Sequence, residues 1–378
     1  MPPSSAISPR SPATSTRSSR PVPEPISWET AERVAVRVAG REPLASSYHY
    51  AALEPDFTEL TAEAEELVAA ATGLRSLAGP ARARVTDRQG WVRANIASFR
   101  RLLRPLTDKL GPRLSASPLA PVSRTVTGVQ LGTMLGWMSS RVLGQYDLLL
   151  VEEERPEDQD IVYYVGPNIL ALEKRFGFPP REFRLWLALH EVTHRCQFTG
   201  IPWLRPHFLS LVEGTLDSVD PDPRRFLDAL RKAVDEVRAG RNPLAEGGIV
   251  GLLASPEQQA MLQQVGGLMS LLEGHGDVTM DRAGAGRIPS AARFSNVLHQ
   301  RRAEVRGPAR LLQQLIGLEA KMKQYEQGER FIEAVEAAGG PELFERVWQG
   351  PEWLPDLSEI QEPARWIERA ESGMPAAS

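Results

Sequence analysis

The stretch LALHEVTHRCQF, residues 187–198, contains two histidines four residues apart with a glutamate directly after the first. Apolar and small residues recur around them at steps of three and four, a spacing that predicts a helix. On that helix His190 and His194 lie one turn apart on one face, and Glu191 lies about 100° round the axis. Both imidazoles can therefore point at one ion.

The arrangement H-E-x-x-H is typical of a catalytic zinc site, in which the two histidines bind the metal. The glutamate is placed to deprotonate a metal-bound water, whose pKa the zinc lowers toward ~7, and to pass the proton to a leaving amine. Residue frequencies alone would produce the pattern in about 1 of 100 chains of this length. We therefore interpret His190 and His194 as zinc ligands and Glu191 as a general base.

A catalytic zinc also needs a third protein ligand and keeps its fourth position for water. Two downstream segments offer a glutamate followed four residues later by an aspartate: LVEGTLDS with Glu213 and Asp217, and LLEGHGDVTMD with Glu273 and Asp277. Glu213 has the sequence separation found in thermolysin-like gluzincins, whereas Glu273 follows a long apolar segment and stands near His275. The residues alone leave the two segments equally good candidates.

Several stretches in order along the chain together carry a resemblance to a known family. They are the opening helix with Trp28, VQLGTMLGWMSSRVLGQYD, YYVGPN, HEVTHRCQFTGIPWLRPH, LLEGHGDVTMDRAG, KMKQYEQGERF and VWQGPEWLPDLSEIQEPARWIERA. With them the chain resembles the actinobacterial zincin-like metallopeptidase (type 2) family, and within it the branch associated with biosynthesis of the deazaflavin coenzyme F-420. The resemblance implies a zincin-like domain, a zinc-dependent hydrolase of the metallopeptidase type, and Glu273 as the third ligand with Asp277 behind a histidine. It leaves Glu213, and more remotely His275, as alternatives, and it assigns no substrate.

Two other functions use the same residues. A zinc-stabilised scaffold or partner-binding protein would recruit a fourth protein ligand, for which His275 is a candidate, but it has no need of Glu191. A small-molecule amide hydrolase in cofactor metabolism would differ from a peptidase only in the shape of its pocket. Tyr325 could donate a hydrogen bond to a zinc-bound oxyanion, although a tyrosine that packs on its own helix is the simpler interpretation.

The rest of the chain is predicted to be mainly helical, beginning near Trp28 with a helix that ends at Gly40. Two runs with strand character, YDLLLV (146–151) and IVYYV (161–165), predict a small β-hairpin or strand pair. Either run could be an edge strand beside the cleft, to which an extended peptide could add.

Small residues recur at every fourth position near the middle of the chain. They are Gly128, Gly132, Gly136, Ser140 and Gly144. On a helix this spacing makes one smooth stripe where another backbone can approach closely.

The composition is that of an ordinary globular protein: 378 residues, 42% hydrophobic and 24% charged, with a net charge of -4. This charge predicts no nucleic-acid partner, and no apolar run is long enough for a membrane span. The single cysteine, Cys196, and the lack of a secretory signal at the N-terminus predict a cytoplasmic protein. We expect a disordered Pro/Ser-rich leader at 1–26, one domain at 27–370 and a flexible tail at 371–378.

Overall fold

The computed structural model describes residues 24–42, 44, 46–115, 120–146, 148, 160–217, 256–303 and 318–373. Most of the predicted leader and the last part of the predicted tail lie outside these residues. The fold is mainly α-helical with a small sheet, as the sequence predicts. Among the described helices none has the length and apolar character needed to cross a membrane.

The helices are α1 (Trp28–Ala39), α2 (Tyr48–Ala51), α3 (Leu53–Thr72), α4 (Arg88–Leu102), α5 (Arg104–Ser115), α6 (Ala120–Ser139), α7 (Gly166–Phe176), α8 (Pro180–Gly200), α9 (Leu204–Asp217), α10 (Pro256–Gly284), α11 (Ala291–Ala303), α12 (Leu318–Phe344), α13 (Leu357–Gln361) and α14 (Pro363–Glu371). The strands are β1 (Arg82–Thr86), β2 (Gly144–Tyr146) and β3 (Ile161–Val165). The first helix has the bounds that its sequence predicts, because Gly40 adopts a positive φ of 67° directly after it.

The sheet has three strands in the described residues, where the sequence predicts two. Their order is β1-β3-β2, with β1 parallel and β2 antiparallel to the central β3. The predicted strand 161–165 is confirmed at its bounds. The predicted strand 146–151 coincides with β2 only at Tyr146, and residues 147 and 149–151 lie outside the described residues.

The stripe of small residues on α6 lies against α1. A Cβ added at Gly128, Gly132 or Gly136 would stand only 2.6, 2.3 or 2.4 Å from carbonyl oxygens of α1 and the residue before it. The predicted close approach of two backbones is therefore confirmed for these glycines. The end of the predicted stripe is wrong, because α6 ends before Ser140 and Gly144 belongs to β2.

Helix α8 runs through the hydrophobic core, and most of residues 183–198 are buried. Its fully buried Arg195 forms ion pairs with Asp160 and Glu65, each with a nitrogen–oxygen distance of 2.7 Å. The hydroxyl of Tyr146 donates to the same Asp160 carboxylate at 3.1 Å. This charge network joins α8 to α3 and to the sheet, because a buried guanidinium is tolerated only when carboxylates compensate its charge.

Helix α10 packs against α8 and crosses α12 at very short distance. A Cβ added at Gly274 would stand 2.4 Å from the carbonyl carbon of Gly328, and one added at Gly328 would stand 2.0 Å from the carbonyl oxygen of Ser270. Only glycine allows the two backbones to meet in this way. The crossing fixes the position of the middle turn of α10, which carries Glu273, relative to α12.

Candidate metal centre

Three side chains from two helices converge on one point. His190 and His194 come from α8 and Glu273 comes from α10, and their ligand atoms all lie within 4.8 Å of one another. The Nε2 atoms of the two histidines are 3.2 Å apart. The Oε2 atom of Glu273 lies 3.8 Å from Nε2 of His190 and 3.6 Å from Nε2 of His194.

These distances fit a tetrahedral zinc ion. Ligand atoms that each lie ~2.0–2.1 Å from zinc in a tetrahedral site are roughly 3.3–3.4 Å from one another. The three measured separations are close to this value, and two imidazoles with one carboxylate are a donor set that zinc prefers. The side chain of His190 retains 21% exposure, so the site has access to solvent.

Each histidine has a polar side chain near its other ring nitrogen, and the one beside His194 is at hydrogen-bond distance. Oδ1 of Asp277 lies 3.8 Å from Nδ1 of His190, on the side of the ring away from Glu273. Nδ1 of His194 lies 2.9 Å from Oε1 of Gln197 on the same helix. Metal-binding histidines in proteins usually have such a partner, which fixes the ring and its tautomer.

The proton of His194 is held in place by carboxylates. Burial by itself would lower the pKa of His194, but the hydrogen bond with Glu273 and the negative charges of Glu273 and Glu191 raise it to about 9. Without a metal, His194 is therefore protonated at neutral pH. A metal ion must displace that proton to bind.

Four residues of the segment EGHGD, 273–277, lie at the centre or contact a side chain that does. Gly276 faces the two histidine rings, and a Cβ added there would lie 3.4–3.6 Å from ring atoms of His190 and His194. His275 is buried, and burial together with the positive charges of His194 and Arg282 lowers its pKa to about 3. Gly274 lies at the crossing with α12. The same short segment therefore packs two helices together and supplies Glu273 to the metal centre.

The base candidate, Glu191, is held by the edge strand of the sheet. The backbone N–H of Tyr146 donates to Oε2 of Glu191 at 3.1 Å. A Cβ added at Gly144 would stand 2.6 Å from Oε1 of Glu191, so the absence of a side chain at this position makes room for the carboxylate. Strand β2 thus lies beside the centre at the sheet edge, as the sequence hypothesis requires, but Glu191 already occupies one of its N–H groups.

The other candidates from the sequence are not in this cluster. The side chain of Glu213 is exposed on α9, and His275 turns its Nδ1 atom to Gln197 at 2.9 Å. The side chains of Asp217 and Tyr325 lie outside the described residues. Among the described residues, the metal-compatible cluster therefore consists of His190, His194 and Glu273.

Sequence reasoning missed two contributors, Gln197 and Gly144. Gln197 stands three residues after His194, so a polar residue on the same helix face was a usable signal. Gly144 was assigned to a helix stripe, and no local pattern links it to Glu191.

Comparisons with known proteins identify a family and a solved structure that this chain is similar to. A family model for zincin-like metallopeptidases matches residues 26–367. The chain is similar to the crystal structure of a proposed hydrolase with a novel fold from Chloroflexus aurantiacus, at 32% sequence identity and a TM-score of 0.66. That match covers 92% of this chain and 99% of the other. No curated protein matches the chain.

Proposed function

Because this chain belongs to the zincin-like metallopeptidase family, we propose that it is a zinc-dependent hydrolase that cleaves a peptide or amide bond. The observation that carries the proposal is the convergence of His190, His194 and Glu273 at distances that suit zinc. Three protein ligands with solvent access are typical of a catalytic zinc, whereas a structural zinc recruits four.

In this proposal His190, His194 and Glu273 hold the ion, and Asp277 orients His190. A bound zinc supplies a Lewis acid that lowers the pKa of a coordinated water toward ~7 and polarises a carbonyl group. Glu191 accepts a proton on a carboxylate oxygen and delivers it to the leaving nitrogen. The Tyr146 N–H and the space beside Gly144 keep that carboxylate in position.

The zinc-stabilised scaffold is the second candidate, and the position of His275 argues against it. Nδ1 of His275 is engaged with Gln197, and its ring packs against Phe344 and Trp348. The alternative of a small-amide hydrolase in F-420-related cofactor metabolism remains a prediction from the sequence resemblance. We also retain the expectations of a cytoplasmic protein with a peptide or amide substrate and no nucleic-acid partner.

The test compares wild type with Glu191→Gln, which keeps an oxygen acceptor for the Tyr146 N–H. Zinc content is measured by inductively coupled plasma mass spectrometry. Turnover is screened with peptide libraries and small amides. We expect one zinc ion per chain in both proteins and a rate at least ~100-fold lower in Glu191→Gln. Equal rates would refute the role of Glu191 as base, and zinc binding without turnover of any peptide or amide would favour the scaffold.

A further inference from the structure

Gln197 lies between a proposed zinc ligand and a buried histidine that does not bind the metal. Its side chain is fully buried. Its Oε1 atom is 2.9 Å from Nδ1 of His194, and its Nε2 atom is 2.9 Å from Nδ1 of His275 and 3.1 Å from the carbonyl oxygen of Leu272. Gln197 and His275 are 78 residues apart in sequence.

The carbonyl group of Leu272 determines which way the amide of Gln197 faces. A carbonyl oxygen only accepts hydrogen bonds, so the atom of Gln197 next to it must be the NH₂ group. The second hydrogen of that NH₂ group points to Nδ1 of His275, which must therefore accept. The amide oxygen is left facing His194.

This orientation selects the tautomer of His194. The oxygen of Gln197 only accepts, so Nδ1 of His194 must carry a hydrogen. In the neutral ring the lone pair is then on Nε2, the atom that faces His190 and Glu273. The ring is thereby prepared to bind an ion through Nε2.

His275 is the fixed end of this chain of hydrogen bonds. Its ring stacks on Phe344 at 5.8 Å and meets the Trp348 ring edge-on at 5.2 Å between centroids. These contacts hold Nδ1 toward Gln197. We propose that Gln197 and His275 are positioning residues that set the tautomer and orientation of His194 for zinc, an inference that rests on the zinc site proposed above.

The direct test is the tautomer of His194 in zinc-loaded wild type, read from long-range proton–nitrogen correlation spectra of the histidine rings. We expect a hydrogen on Nδ1 and the metal on Nε2. A hydrogen on Nε2 with the metal on Nδ1 would overturn the inference. This measurement uses the wild-type protein and requires no variant.

The second test measures zinc affinity by competition with a chromophoric chelator. Gln197→Leu removes the acceptor for His194, and we expect the affinity to fall roughly 10- to 100-fold. His275→Asn keeps an acceptor near the place of Nδ1 and should bind more tightly than His275→Phe, which keeps only the ring packing. Gln145→Leu is the matched control, because Gln145 pairs with Asn95 instead of a metal ligand, and its affinity should stay within about twofold of wild type.

The outcomes separate the two proposals. Wild type that binds no zinc would contradict the proposed function itself. Wild type that binds zinc through His190, His194 and Glu273, together with unchanged affinity in folded Gln197→Leu, would overturn only the positioning role. If Gln197→Leu does not fold, the tautomer in wild type decides.

Discussion

Zinc affinity should depend on pH well above the range of ordinary histidines. The pKa of His194 in the metal-free protein is raised to about 9, from a usual value of 6.5, by Glu273 and Glu191 against the opposing effect of burial. Zinc and the proton compete for the same nitrogen, so affinity rises with pH until His194 loses its proton unaided. Zinc should therefore bind more weakly at low pH, and its affinity should level off only above pH 9.

The raised pKa of His194 determines how strongly zinc affinity depends on pH. With a pKa of about 9, roughly 1 in 300 His194 rings is unprotonated at pH 6.5 and half of them at pH 9, which predicts roughly a 150-fold gain in affinity from this group alone. At pH 7.5 the binding of each zinc ion should release about one proton from His194. An unperturbed histidine would already be almost fully deprotonated at that pH and would release very little.

The assay is chelator competition from pH 6 to 9, with calorimetry in buffers of different ionisation enthalpy to count protons. Cadmium is titrated beside zinc, because water on this larger ion ionises at higher pH and so does not add its own proton. His49→Gln, which removes an exposed histidine of α2, is the control and should leave the profile unchanged. An affinity that is level above pH 7, with no proton released to the buffer, would refute the contact between His194 and Glu273.

Three further variants test the remaining contacts. Glu273→Ala should lower zinc affinity at least ~100-fold in the same chelator assay, while the matched Glu213→Ala stays near wild type, and the reverse result would move the third ligand to α9. Gly144→Ala places a Cβ 2.6 Å from Oε1 of Glu191 and should lower kcat by roughly 100-fold with zinc content unchanged, as measured on any substrate found in the screen. Arg195→Leu leaves the buried Asp160 and the half-buried Glu65 without their cation and should lower the free energy of unfolding by about 3–5 kcal/mol in urea denaturation. A loss below about 1 kcal/mol would mean that this network contributes little to stability.

Strand β1 shows why the sheet was only partly predictable. Its sequence, RARVT, has no apolar run, and its pairing partner β3 lies far along the chain, with Arg82 opposite Ile161. The strand IVYYV was recognisable because it is apolar and buried at most of its positions. Strand propensity is read locally, but strand pairing depends on the tertiary structure.

The glycine stripe shows the same limit within one pattern. A repeat of four predicts one helix face, and Gly128, Gly132 and Gly136 do lie on it. Gly144 continues the repeat in sequence, although the helix has ended and the residue faces Glu191 instead. The spacing correctly predicted that a side chain at Gly144 would be excluded. The neighbour that excludes it, however, is the Glu191 side chain and not the backbone of another helix.

The sequence by itself determined the local half of the centre. His190, Glu191 and His194 lie within one turn of a single helix, whose geometry follows from residue spacing. The choice between Glu213 and Glu273 depended on the resemblance to a family, because both segments offer the same Glu-x-x-x-Asp spacing.

Only the tertiary structure brought the other half of the centre to the two histidines. Glu273 reaches the histidines because α10 packs on α8 and crosses α12 at Gly274 and Gly328. The same packing brings His275 to Gln197, and a separate contact between α8 and β2 brings the Tyr146 N–H to Glu191. The physical reason is that a metal centre needs atoms within a few ångströms of one another, and close packing of distant helices, unlike helical periodicity, is not encoded in any single stretch of sequence.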